Sequence, residues 1–154
     1  MIKSTRHSKI TGDFGESLVL YWLSRLSFEC ARIDHTGIDI IARDPKARTP
    51  MGISVKSRSR MEGTERDYVG IPNGDLEKVD AACAAFGCTP FFAIVVDAGK
   101  TIHGFMLPMK HLLDLFPRGR TVVAWKMGEQ HLASYAQDPK IKRFKFQADW
   151  GSVE

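Results

Sequence analysis

The apolar positions along this 154-residue chain change period several times, and each change predicts an element. Asp13 followed three residues later by Glu16 reads as a capping-box-like start, with Asp in place of the usual Ser or Thr. Phe14, Leu18, Tyr21, Trp22 and Leu26 then recur at helical spacing, which predicts a helix from about Phe14 to Ser27. Runs rich in β-formers follow at Phe28 to Ile33, Ile38 to Arg43 and Met51 to Ser57. A turn through Asp34-His35-Thr36-Gly37 joins the first two, and a proline-bounded loop from Asp44 to Pro50 joins the last two. From Arg58 to Gly70 the periodicity is lost and the segment reads as an irregular, charged loop. Leu76, Val79, Cys83 and Phe86 return at helical spacing, with Gly87 where a C-terminal cap belongs, predicting a helix over 75–86. Phe91 to Val96 and Thr101 to Leu107 flank Asp97-Ala98-Gly99-Lys100 as a hairpin. Pro108 opens a short helix with Met109, Leu112, Leu113 and Phe116 inward, stopped by Pro117. The tail offers a strand at Thr121 to Met127, a helix near Glu129 to Tyr135 and a basic strand from Lys140 to Phe146.

Composition narrows the class. At 44% hydrophobic and 26% charged the chain is ordinary globular protein, and its length corresponds to one domain at about 100–200 residues each. Lys and Arg total 22 against 18 acids, a net charge of +4 that leans toward a polyanionic partner. The 3 cysteines, Cys30, Cys83 and Cys88, are odd in number and follow no secretory leader, so a reducing cytoplasm is expected and a disulfide framework is not. Cys83 falls on the apolar stripe of its helix, and His103 and His111 complete no zinc set with it, so buried thiols are the better reading. No apolar run approaches the roughly 20 residues that span a bilayer. Lys3, Arg6 and Lys9 read as a mobile basic arm.

The chemistry sits in the first half. Asp39 stands between Ile38 and Ile40, where a half-buried strand usually places an apolar residue. Ser54 and Lys56 share one face of the third strand, and Arg58 and Arg60 continue the row if the strand extends. With the second and third strands paired, Asp39 can face Lys56 across the ladder and the first helix can bring Glu16 to the same place. Two carboxylates with a neighbouring lysine are what metal-assisted phosphodiester hydrolysis needs: oxygen ligands for Mg²⁺ or Mn²⁺, and a cation that orients water and offsets developing charge.

The stretches Gly12-Asp13-Phe14-Gly15-Glu16, Gly37-Ile38-Asp39-Ile40-Ile41 and Gly52-Ile53-Ser54-Val55-Lys56-Ser57-Arg58 resemble the PD-(D/E)XK nuclease superfamily, which includes restriction endonucleases and archaeal Holliday-junction resolvases. The resemblance covers about residues 12 to 96. It implies an α/β restriction-endonuclease-like fold built from a helix, a three-strand meander, a crossover helix and a further strand, with a mixed central sheet. One such domain over 1–154 is expected, its core at about 12–107 and a C-terminal elaboration at about 108–154. Residue by residue, Glu16 matches the acid of the first helix, Asp39 the metal-binding Asp and Lys56 the lysine of the acid-X-Lys motif. Ser54 occupies the position of that motif's acid, so the implied metal set is Glu16, Asp39 and the Val55 carbonyl, with Ser54 as a weak ligand or hydrogen-bond donor. Glu62, Glu65 and Asp67 are candidates for an acid supplied from a neighbouring element.

Ordinary roles exist for each residue: Glu16 as a capping partner, Asp39 as a turn residue, Lys56 as an edge-strand lysine. Their joint order favours the nuclease reading. Arg43, Lys46, Arg48, Arg58 and Arg60 are the expected phosphate-tracking residues around the site. Lys140, Lys142, Arg143 and Lys145, with Phe144 and Phe146 interleaved, read either as a base-stacking cluster or, preferably, as a half-buried strand with two core phenylalanines and a solvated basic face. The leading function is a Mg²⁺-dependent DNA endonuclease, with a homodimer implied by the resemblance. The alternatives are a catalytically silent nucleic-acid-binding domain of the same fold, or a small α/β interaction module.

Overall fold

The computed structural model describes residues 4–152. In chain order its elements are α1 (Thr5–Arg25), β1 (Glu29–Arg32), β2 (Ile40–Arg43), β3 (Met51–Ser59), β4 (Val69–Pro72), α2 (Asn73–Phe86), β5 (Thr89–Asp97), β6 (Thr101–Pro108), α3 (Met109–Leu115), β7 (Val122–Trp125), α4 (Glu129–Gln137) and β8 (Lys142–Gln147). β1, β2 and β3 form an antiparallel meander in which Arg32 faces Ile40 and Ile40 faces Ile53. α2 then carries the chain over to β5, which runs parallel to β3, and β6 and β8 continue antiparallel. The result is a six-stranded mixed sheet in the order β1-β2-β3-β5-β6-β8, with β4 and β7 forming a separate two-stranded sheet.

Alternation along β3 sends its apolar side chains, Met51, Ile53 and Val55, to one face. Ile53, with Ile40, Val19 and Leu23, belongs to the core under α1. The opposite face of the sheet packs with α2, α3 and the small sheet through Leu76, Val79, Phe92, Leu112 and Trp125. Trp125 stacks on Tyr135 at 4.1 Å between centroids, tying β7 to α4. His111 and Asp138 meet at 2.6 Å and join α3 to the end of α4. No helix among the described residues is long and apolar enough to cross a membrane.

The first helix corrects the sequence reading. It begins at Thr5, with Ser4 as N-cap donating its backbone N–H to His7 Nδ1 at 3.0 Å, so Asp13 and Glu16 lie inside the helix and do not cap it. Their three-residue spacing is as natural between helical neighbours as at a cap, and Asp13 pairs with Lys9 one turn back at 3.5 Å. Arg6 and Lys9 are therefore helical and form no mobile arm; Lys3 lies outside the described residues. The stripe that α1 buries is Gly15, Val19 and Leu23, while Phe14, Tyr21 and Leu26 are exposed. Gly15 decides this: a β-carbon there would sit 1.7 Å from Ser57 Oγ and 2.8 Å from Ser57 Cβ, so only glycine lets α1 lie this close to β3.

Elsewhere the differences are local. α2 starts two positions earlier than predicted but ends at Gly87, left-handed at φ 67°, as expected. Val69 and Gly70 open β4 where a loop is predicted, because a four-residue strand has no room to establish a period and its partner β7 lies far along the chain. β8 is an edge strand whose side chains are almost all exposed; Phe144 packs partly against the α1 core, while Phe146 is 42% exposed. The expectation that both phenylalanines are core residues holds only in part for Phe144 and fails for Phe146.

Candidate active site

Asp39 sits just before β2, where the chain bends before joining the ladder. Its N–H donates to the Ile53 carbonyl at 2.8 Å and its carbonyl accepts the Ile33 N–H at 2.9 Å, so its backbone is locked between β1 and β3. Its side-chain Oδ2 accepts the Val55 N–H at 2.7 Å. In an extended strand a residue's N–H and C=O point to the same edge, which turns the Val55 carbonyl toward the edge that Asp39 occupies.

Glu16 arrives from the other side. The close approach that Gly15 permits places the next residue of α1 beside the start of β2. Burial raises the Glu16 carboxyl above its ordinary value, and the charge of Asp39 and a hydrogen bond to it raise it further; Arg32 opposes them, and Asp13 adds a smaller upward push. Arg32 holds Nε 3.7 Å from Glu16 Oε2 and donates Nη2 to Ser17 Oγ at 2.8 Å. A cleft of about 440 Å³ opens here, lined by Asp13, Glu16, Asp34 and Asp39 on the acidic side and by Arg32 and His35. In a chain of net charge +4, this is a locally acidic hollow.

Lys56 is placed differently from the sequence expectation. The register that sets Ile40 against Ile53 brings Asp39 opposite Ser54, and the Lys56 ammonium is paired with Asp75 Oδ2 of α2 at 2.5 Å. Ser54 is buried, at 4% exposure. Asp75 escaped the sequence reading because an acid in the first turn of a helix is expected for the helix dipole alone. Arg32 escaped it because nothing in a short, mostly exposed strand marks one arginine as facing a carboxylate.

The other candidates disperse. Glu65 turns both carboxylate oxygens onto the Gly63 N–H, at 3.0 and 2.9 Å; Asp67 lines a different hollow with Glu129 and His131; Glu62 is exposed. Arg58 and Arg60 reach across to β4, donating to the Gly70 carbonyl at 3.2 Å and to the Tyr68 carbonyl at 2.9 Å. Burial lowers the Arg58 pKa. Arg43, Lys46 and Arg48 are exposed around the β2–β3 hairpin, at the end of β2 away from Asp39 and roughly 13 Å along the strand at about 3.3 Å per residue. Cys83 is buried on α2, and its thiol is pushed up to about 11, chiefly by burial.

Among the described residues no three His, Cys, Asp or Glu side chains gather as a metal-holding group; Glu16 and Asp39 form a pair. That pair suits one hard divalent cation. Mg²⁺ is commonly held by one or two carboxylates and keeps several of its waters, and a cation between two carboxyls would relieve the repulsion that, added to burial, drives Glu16 toward its neutral form. A stability prediction follows with a definite sign. Because Glu16 binds its proton more tightly when folded, its contribution is complete below the ordinary Glu pKa and is lost as pH rises through its raised folded value. Thermal melts in EDTA should therefore lose stability over that interval, Glu16→Gln should flatten the loss, and a wild-type profile matching Glu16→Gln would count against the carboxyl contact.

No protein-family model matches this chain, and no curated protein matches it. A solved structure does: the Holliday junction resolvase Hjc of the archaeal hyperthermophile Archaeoglobus fulgidus superposes with a TM-score of 0.56 at 18% identity, covering 80% of this chain and 93% of the resolvase. At that identity the likeness is one of fold. The helix, the three-strand meander, the crossover helix α2 and the parallel return of β5 give this chain a mixed α/β, restriction-endonuclease-like fold.

Proposed function

We propose that the chain is a divalent-cation-dependent nuclease that hydrolyses DNA phosphodiester bonds at the cleft between α1 and the start of β2. The observation that carries this reading is that the Glu16 and Asp39 carboxyls line one acidic hollow, where burial first and the charge of Asp39 second raise Glu16. An acidic hollow repels phosphate unless a cation intervenes, so the arrangement makes sense for a polyanionic substrate only as a cation site. Glu16, Asp39 and the Val55 carbonyl would hold Mg²⁺ or Mn²⁺, which when bound acidifies water and screens phosphate charge. The resolvase fold supports the same reading.

The chain's own groups have distinct tasks. Asp39, anchored through Oδ2 by the Val55 N–H, lines the cleft as one carboxylate ligand. Arg32 holds Glu16 in place and restrains its uptake of a proton. Lys56 orients water or a phosphate oxygen after its ammonium leaves Asp75, which holds it in reserve on the α2 side. Arg43, Lys46 and Arg48 extend a phosphate-binding track along the hairpin. Ser54 leaves the third acid position neutral, and this specific departure favours a second reading, a nucleic-acid-binding domain without cleavage.

Cleavage of labelled linear, branched and single-stranded DNA in Mg²⁺, Mn²⁺ or EDTA separates the two. Cutting that requires the cation supports the nuclease; binding without cutting supports the second reading. If the nuclease reading holds, Lys56→Met lowers the rate roughly tenfold, the scale of one charge-assisted hydrogen bond of about 1.5 kcal/mol. Asp75→Asn, which loosens the hold on the ammonium, should not lower it. Equal rates for Lys56→Met and wild type would remove Lys56 from the chemistry.

A further inference from the structure

Away from the acidic cleft, α1 and the edge strand β8 enclose an open groove of about 240 Å³, lined by Leu18, Tyr21, Trp22, Arg25, Phe144 and Phe146. Four of these are aromatic, and the outer two are open to solvent: Tyr21 is 60% and Phe146 42% exposed. The rings are already ordered against one another. Phe144 and Phe146 stack at 6.0 Å with planes 12° apart, Trp22 meets Phe144 edge-on at 4.8 Å, and Arg25 lies over the Tyr21 ring at 5.8 Å. None of the lining residues is acidic. Along β8 the run 140–147 contributes Lys140, Lys142, Arg143 and Lys145 and no acid. Lys142 shares the face of Phe144 and Phe146 and rests over the Phe28 ring at 5.8 Å, while Arg143 and Lys145 line the other face.

Exposed aromatic faces beside a row of cations match one chemistry closely. We propose that this groove binds single-stranded nucleic acid, with unpaired bases stacking on Tyr21 and Phe146 and the phosphates following Arg25 and Lys142, the cations on the groove's own face. Every base has a π-face, so such a platform is indifferent to sequence, and it favours single strands because duplex bases are already stacked on one another. Charge argues against a second copy of this chain as the occupant. Pairing β8 with itself would bring two copies of the Lys142, Arg143 and Lys145 run together with no acid between them, and like charges across a strand pair are destabilising. The inference shares with the proposed function only the class of partner, nucleic acid, and needs no chemistry from the cleft.

Fluorescence anisotropy of labelled oligo-dT and of a duplex of equal length, in EDTA, tests it independently of cleavage. Wild type is expected to bind the single strand more tightly than the duplex, and Tyr21→Ala and Phe146→Ala each to weaken single-strand binding about tenfold, within the range for loss of one stacked base. Arg25→Ala and Lys142→Ala should each reduce the salt slope by about 0.7, and Lys145→Ala, on the other face of β8, should reduce it less. Both aromatic positions are exposed, so circular dichroism should show folded variants. Failure of the wild type to cleave any DNA in Mg²⁺ or Mn²⁺, with this binding pattern intact, would overturn the cleft reading alone. No single-strand preference, binding unaffected by both aromatic substitutions, or capture of an acidic peptide in place of oligo-dT would overturn the groove.

Discussion

Asp39→Asn is expected to abolish divalent-cation-dependent cleavage, with a fall of about a thousandfold or more, while leaving the protein folded. The asparagine side-chain oxygen can still accept the Val55 N–H that Asp39 Oδ2 now accepts, and the backbone bonds to Ile33 and Ile53 are untouched. What disappears is the charge of one of the two carboxyls that would hold the cation. Metal-assisted hydrolysis draws several kcal/mol of charge stabilisation from its cation, and each ~1.4 kcal/mol is tenfold in rate. The same substitution removes the charge that raises Glu16 on top of burial, so the Glu16 carboxyl should fall part of the way toward its ordinary value, with burial still holding it up. Unchanged melting with lost cleavage, read by circular dichroism and a gel assay, is the expected combination. Cleavage by Asp39→Asn at the wild-type rate would place the chemistry elsewhere.

Gly15→Ala is expected to destabilise the fold by about 2–3 kcal/mol, although alanine is the better helix former by about 1 kcal/mol. The added β-carbon would fall 1.7 Å from Ser57 Oγ, so α1 must move off β3 and carry Glu16 with it. For a chain of 154 residues this corresponds to a melting temperature lower by about 5–10 °C. Ser57 Oγ is buried without a hydrogen-bond partner, so little polar interaction is lost by removing it. Gly15→Ala combined with Ser57→Gly should therefore recover part of the stability, because the substitution removes both atoms that crowd the new methyl group. A Gly15→Ala protein as stable as wild type would show that the close approach of α1 to β3 is not required.

The parts of this fold that could be read from the chain are those where one local signal matches one element. α2, with its apolar stripe and left-handed Gly87, is such a case, as are the β5–β6 hairpin around Gly99 and α3 behind Pro108. The meander and the placement of Glu16 and Asp39 side by side were also legible, because three short motifs fell in the right order on predicted elements. What was hidden depends on tertiary contact. Ser4 rather than Asp13 caps α1, and the stripe α1 buries is chosen by Gly15 and the surface of β3 rather than by its largest apolar residues. β4 exists because β7 pairs with it from far along the chain. Lys56 turns to Asp75 and Glu16 gains Arg32 through distances that no spacing in the sequence encodes. The exposure of Phe146 follows from β8 lying at the sheet edge, which alternation of residue types could not reveal.

Titration of Mn²⁺ into wild type and Asp39→Asn, followed by electron paramagnetic resonance of the free ion at two pH values, tests the central claim most directly. The account predicts one site in wild type, weaker at the lower pH where Glu16 holds its proton, and loss of that site in Asp39→Asn. Equal binding by the two proteins, or no binding by wild type at either pH, would contradict it.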